Sequence, residues 1–162
     1  MNNSSDVIIY TDGSSRGNPG PGGYGIVMED CKTGFTKQYS QGFIKTTNNR
    51  MELLAVIEAL KKLTKIKLNI IVFTDSKYVV DSIEKKWVFK WEKVNFKNKK
   101  NVDLWLDFLN LYKKNSIKFH WIKGHNDHPQ NESCDKLAFN AASGENLFSD
   151  TGYENNNLNT LF

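Results

Sequence analysis

Two kinds of apolar run mark out this chain. Val7-Ile8-Ile9-Tyr10-Thr11 and Ile70-Ile71-Val72-Phe73-Thr74 are continuous β-branched and aromatic stretches, the pattern of strands covered on both faces. Between them, Gly17-Asn18-Pro19-Gly20-Pro21-Gly22-Gly23 is too rich in Gly and Pro for a helix or a central strand and reads as a turn. Tyr24 to Glu29 and Phe35 to Ile44 then read as two strands joined by a hairpin at Lys32-Thr33-Gly34. Thr46-Thr47-Asn48-Asn49 offers helix N-caps. Arg50 to Lys62 follows, rich in helix formers and apolar nearly all round, as in a largely buried helix. Ser76 caps a helix predicted over Lys77 to Lys86. Further elements are a helix over Val102 to Tyr112, a last strand over Ile117 to Ile122 and a final helix from Pro129, a residue suited to a first turn, to Ala142. The Asn-rich stretch from Gly144 onward has no periodicity, so the expectation is one domain over residues 1–144 and a flexible tail over 145–162.

Composition narrows the class. With 162 residues and 39% hydrophobic side chains, the chain suits one globular domain with a real core. Its net charge of +4 permits a polyanionic partner without requiring one. Two cysteines, Cys31 and Cys134, form neither a disulfide framework nor a metal cluster and read as reduced structural thiols. No apolar run approaches the roughly 20 residues that span a bilayer, and the first residues lack the pattern of a secretory signal. A cytoplasmic protein with no membrane partner is therefore expected.

Candidate chemistry lies in the acids. Two strands end alike, Ile9-Tyr10-Thr11-Asp12 and Val72-Phe73-Thr74-Asp75. If they lie parallel and adjacent, both carboxylates share the sheet edge where open α/β folds bind ligands. Glu52 sits near the start of the apolar helix, and Asp135 in the first turns of the last helix. Taken singly, Asp12 and Asp75 are as readily turn residues or caps, and Asp135 and Glu132 as readily complements to the helix dipole. Converging carboxylates repel, and a divalent cation removes that penalty. Oxygen-only ligands favour Mg²⁺, with Mn²⁺ as a substitute, and two such ions can drive phosphodiester hydrolysis.

The ordered motifs Tyr10-Thr11-Asp12-Gly13-Ser14, Gly17 to Gly25, Thr47-Asn48-Asn49-Arg50-Met51-Glu52, Phe73-Thr74-Asp75-Ser76-Lys77-Tyr78-Val79, Lys100 to Trp105, Trp121-Ile122-Lys123-Gly124-His125 and Asn131 to Asp135 closely resemble ribonuclease H of the bacterial type 1 branch. The resemblance runs from about Asp6 to Ala142. It implies an α/β ribonuclease H-like fold with a five-stranded mixed sheet of order 3-2-1-4-5 and helices on both faces. It implies an endonuclease that hydrolyses the RNA strand of RNA–DNA hybrids with two Mg²⁺ ions, leaving 5′-phosphate and 3′-hydroxyl ends. Asp12, Glu52, Asp75 and Asp135 match the metal-binding carboxylates, and His125 matches a loop histidine that assists proton transfer or product release. The family also suggests a monomer.

Hybrid recognition requires a test for the 2′-hydroxyl, which donates and accepts, so amide side chains suit it. Asn18, Asn48 and Asn49 match the family's minor-groove contacts, although each also serves as a turn residue or cap. Thr47 matches a phosphate pocket for the DNA strand, supported by Lys45 where relatives often carry Arg. Lys85, Lys86, Trp87, Lys90 and Trp91 resemble a basic protrusion that grips the DNA backbone, with Lys93, Lys97, Lys99, Lys100 and Phe96 continuing the basic and aromatic pattern. A plain solvated face is the alternative reading of those lysines. Departures from the family are Phe96 where a third Trp is common, and Asn126-Asp127 in the histidine loop. His128 reads as a cap or surface residue. A hybrid-binding protein without activity and a DNA-cutting relative of the same architecture are the rival functions; the first expects a missing acid, and the 2′-hydroxyl-reading asparagines speak against the second.

Overall fold

The computed structural model describes residues 4–124 and 128–158, the side chains of 156–158 apart. Three antiparallel strands open the chain: β1 (Val7–Ser15), β2 (Gly20–Asp30) and β3 (Thr36–Thr46). Helix α1 (Asn48–Lys61) leads to β4 (Asn69–Thr74), which pairs parallel to β1. Then come α2 (Lys77–Glu84), α3 (Trp87–Lys93), α4 (Val102–Tyr112) and β5 (Ser116–Trp121), the last parallel to β4. Helix α5 (Pro129–Ser143), a two-residue β6 (Leu147–Phe148) and α6 (Thr151–Leu158) complete it. The sheet order is β5-β4-β1-β2-β3-β6, so the expected order holds with one strand added beyond β3.

Helix α1 is the hub of the core. Met51, Leu53, Ala55, Val56, Ile57 and Ala59 are all fully buried against the sheet and α4. Each large apolar side chain removed from water contributes about 1.5–3 kcal/mol, which is why an apolar helix needs no polar face here. Helix α5 covers the other face of β1, β2 and β3. Its backbone sits so close to β2 that a Cβ on Gly25 would strike the Cys134 carbonyl. Gly20 to Gly25, expected as a turn as far as Gly23, become strand and pair with β1 and β3, and the missing side chains of Gly23 and Gly25 make room for the helix. Both thiols are free, Cys31 exposed and Cys134 buried. Among the described residues no helix is long and apolar enough to cross a membrane.

Two expectations need correction. Residues 145–158 are not a loose tail. Leu147 and Phe148 pair with Gly42 and Phe43, and Asp150 is buried. Asp150 caps α6 by accepting from Tyr153 N–H at 3.3 Å and accepts from Thr46 Oγ1 at 2.6 Å. The cause is Arg50, buried in the first turn of α1, which needs a second carboxylate beyond Asp103. Phe96 is no part of an exposed basic surface either. A left-handed backbone at Asn95 and Phe96 turns its ring into the core.

Candidate active site

The two matching stretches lie side by side as their sequences imply, although β1 runs on past Asp12 to Ser15. Tyr10 and Phe73 are register partners in the parallel β1–β4 pair, and their rings stack at 5.1 Å. Asp12 and Asp75 each follow two residues later, at the same edge. Glu52 comes down from α1, which is docked unusually close to β1 at Gly13, where a Cβ would collide with the backbone of Met51 and Glu52. Gly13 N–H donates to Glu52 Oε1 and aims that carboxylate at the sheet edge. Asp12, Glu52 and Asp75 each present an oxygen within 4.8 Å of the others, with Asp12 and Glu52 buried and Asp75 half-buried. Asp135 lies exposed on α5, outside this trio but close enough to Asp12 to add to the rise of its carboxyl.

Such a cluster is electrostatically unsatisfied by itself. Burial, and then the Glu52 charge, push the Asp12 carboxyl far above the usual carboxylate range. Burial also raises Glu52, and the Asp75 charge adds to the rise, against the pull of hydrogen bonds with Asp12 and Gly13. Glu52 Oε2 is buried and meets no protein donor. The nearby Ser76 hydroxyl also pulls the Glu52 carboxyl down, whereas Asp12 can donate to it only by keeping its proton. A hard cation among the three oxygens would satisfy that orphaned atom and remove the repulsion, so the residues present fit a divalent metal. Cys134, beside them, is chemically quiet: burial pushes its thiol up to about 12, and it donates to Tyr10 O at 3.2 Å.

The amide side chains gather at one end of this cluster. Thr47 is the N-cap of α1 and accepts from Arg50 N–H at 3.3 Å. Asn48 Oδ1 accepts from Ser15 N–H at 2.7 Å, while Asn48 N–H donates to Asn18 Oδ1 at 3.0 Å. The glycine-rich segment and the start of α1 are thereby tied into one exposed ledge. Asn49 and Lys45 are exposed on its flank. Farther off, α2 and α3 form an arm with Lys85, Lys86, Trp87 and Lys90 exposed. Lys85 lies over the Trp87 ring at 5.2 Å and Lys86 over Phe89 at 5.6 Å. Trp91 is half-buried, packed edge-on to Trp105, with Lys99 over its ring at 5.0 Å. His125, Asn126 and Asp127 lie outside the described residues; His128 precedes α5 without a side-chain cap bond.

Residues that sequence reasoning passed over also stand here. Arg50 was legible as a charge in an apolar helix. Trp121, at the end of β5, donates its indole N–H to Asp75 O at 3.0 Å and carries Lys77 above its ring. Only the β4–β5 register, with Thr74 opposite Trp121, brings these together.

Known proteins share this arrangement of elements. The RNase H family model matches residues 4–143. Ribonuclease H of Desulforamulus reducens is 51% identical over 150 residues, covering 90% of this chain and 92% of that protein. Ribonuclease H of Pseudoalteromonas atlantica is 48% identical over 153 residues, covering 91% and 97%. The crystal structure of LC9-RNase H1, a type 1 RNase H with the type 2 active-site motif, superposes with a TM-score of 0.75 at 32% identity, over 96% of this chain and 82% of that one. LC11-RNase H1 in complex with RNA/DNA hybrid gives a TM-score of 0.65 at 27% identity, over 85% and 96%. With its sheet order, its edge of clustered carboxylates and relatives about half identical along nearly their whole length, the chain belongs to the RNase H family of endonucleolytic hydrolases.

Proposed function

We propose that this protein cleaves the RNA strand of RNA–DNA hybrids, using Asp12, Glu52, Asp75 and Asp135 to hold two Mg²⁺ ions, with Mn²⁺ as a substitute. The observation that carries this reading is the trio of carboxylates with oxygens within 4.8 Å, together with a buried Glu52 oxygen that has no donor. When bound, the ions supply activation of the attacking water and charge stabilisation at the leaving oxygen. The bond made is from water oxygen to phosphorus and the bond broken is from phosphorus to the 3′ oxygen. The 3′ oxygen takes a proton, giving 5′-phosphate and 3′-hydroxyl ends.

The chain's own residues do the rest. Gly13 N–H donates to Glu52 Oε1, which ties the carboxylate to the strand and limits its rotation. Asn18, Asn48 and Asn49 read 2′-hydroxyls along the exposed ledge. Thr47 and Lys45 receive a phosphate of the DNA strand; Lys45 acts as a point charge, without the bidentate grip of Arg. Lys85, Lys86, Trp87, Lys90 and Trp91 grip the DNA backbone farther along, and His125 assists proton transfer or product release. The protein acts as a monomer in the cytoplasm.

A cleavage assay comparing hybrid, double-stranded RNA and duplex DNA in Mg²⁺ tests the reading. RNA of the hybrid alone should be cut, and Asp12→Asn or Asp75→Asn should abolish cutting. Full cleavage by either variant, or preference for duplex DNA, refutes the assignment; binding of hybrid without cleavage would favour a non-catalytic role.

A further inference from the structure

We propose that Trp121 is a positioning residue of the nuclease site, holding Asp75 from the nitrogen end of its indole and parking Lys77 on its ring face as a cation aimed at a substrate phosphate. The inference rests on the cleavage reading above.

The geometry supplies both halves. Trp121 Nε1 donates to the Asp75 carbonyl at 3.0 Å, just where β4 ends and its last ladder bond, Ile122 N–H to Thr74 O at 3.0 Å, has been made. The indole bond lies one residue beyond that ladder bond, at the residue that bears the carboxylate, so β5 also holds Asp75 itself. The same edge is tight on its other side: a Cβ on Gly124 would lie 2.8 Å from Asp75 Oδ2. Asp75 is thus bracketed by the end of β5 and the residues that follow it.

The ring has a second duty. Lys77 Nζ stands 4.7 Å from the Trp121 centroid, within cation–π range. A free lysine samples many rotamers, and this one is restrained beside the carboxylate cluster while its ammonium stays exposed. A cation held there meets the backbone of any polyanion that reaches Asp75. Trp121 is itself 43% exposed, more than its packing needs, so replacing it perturbs the edge without emptying the core.

Three variants separate the two duties. Trp121→Phe keeps a ring and loses the N–H. Lys77→Gln loses only the cation. Trp121→Leu loses both. Mn²⁺ binding is measured by calorimetry on the protein alone, hybrid binding by anisotropy across a salt series without divalent metal, and KM and kcat in Mg²⁺. Trp121→Phe should weaken Mn²⁺ about 10-fold, as removing a support behind a metal ligand does, and lower kcat while KM stays within about twofold. Lys77→Gln should leave Mn²⁺ binding unweakened, raise KM about fivefold and reduce the salt slope by about one phosphate contact. Trp121→Leu should show both losses. Unchanged Mn²⁺ affinity in Trp121→Phe, even with a lower melting temperature, overturns the hold on Asp75. An unchanged KM and salt slope in Lys77→Gln overturns the phosphate contact. Asp75→Asn serves as control: parent protein that cleaves hybrid and binds Mn²⁺ where Asp75→Asn does not keeps the cleavage reading standing whatever Trp121 shows, and parent protein that does neither overturns both.

Discussion

Arg50 Nε donates to Asp150 Oδ2 at 2.7 Å across 100 residues of sequence, while its two terminal nitrogens grip Asp103 at 2.7 and 2.8 Å. One buried guanidinium therefore binds the first turn of α1, the first turn of α4 and the cap of α6. Removing Asp150 would leave a desolvated charge half-compensated. Asp150→Ala should cost about 3 kcal/mol, the lower end for breaking a buried pair, because Asp103 remains. Urea unfolding measures it, and a loss below about 1 kcal/mol would show that the C-terminal segment is dispensable to the core.

The same cluster sets an acid limit. Burial alone would raise the Asp103 carboxyl, but its hydrogen bonds and charge contact with Arg50 outweigh burial and hold it below the usual carboxylate range. The unfolded chain titrates near 3.9, so the folded state binds this proton less tightly. The contribution is present above pH of about 4 and is lost as pH falls through the lower folded value. Asp103→Asn should flatten the acid limb of stability against pH below about 4 and leave its shape at neutral pH unchanged.

Asp12 and Glu52 act in the opposite sense. Both carboxyls are raised, chiefly by burial, so the metal-free folded state holds protons that the unfolded chain releases near pH 4. Their stabilising contribution is present below that pH and fades as pH rises through the folded values. Metal-free Asp12→Asn should then be more stable than the parent at pH 8, by about 2 kcal/mol, the scale of one uncompensated buried polar group. Mg²⁺ should raise the parent's melting temperature at pH 8 far more than the variant's. Calorimetry in two buffers of different ionisation enthalpy should register proton release on binding, and a heat independent of buffer would contradict the picture.

Much of this site was legible in the chain itself. Asp12 and Asp75 follow two apolar stretches of the same pattern, and a charge at Glu52 inside an apolar helix signals a partner. Those features are local, so pattern and spacing reach them. Asp150 escaped because its partner is Arg50, reached only after the sheet and α1 have formed; nothing periodic surrounds it. Trp121 escaped because its meaning depends on register with β4. Phe96 was misread because its inward path is set by left-handed backbone at Asn95 and Phe96, for which a bulky aromatic gives no sequence signal. The glycine-rich segment is a mixed case: Gly and Pro mark turns in general, but here Gly23 and Gly25 answer the close backbone of α5.

That close packing has a counterpart at the active edge, where Gly13 meets α1. A methyl group there would press on the Met51 and Glu52 backbone, which has no flexible end to swing aside. Gly13→Ala should cost about 1–3 kcal/mol in stability, the range for overpacking. It should also push Glu52 away from Asp12 and Asp75, lowering kcat about 100-fold as ångström-scale misplacement does. A stable Gly13→Ala protein with parental kcat would mean that α1 tolerates a shift without moving its carboxylate.

The arm of α2 and α3 is tested by salt. Lys85, Lys86 and Lys90 are exposed, and the contacts of Lys85 with Asp81 at 3.6 Å and with the Trp87 ring are partly solvated and weak. They hold no core in place, so their replacement should leave the melting temperature within a degree or two. If each neutralises one phosphate, the triple change to Ala should lower the slope of log KM against log salt by about three and raise KM at low salt, with kcat little altered. At high salt the parent and the variant should converge, because screening removes what the substitutions removed. A parental KM at low salt would assign the three lysines to a solvated face and shift the grip on the hybrid to the ledge of Thr47, Asn48 and Asn49.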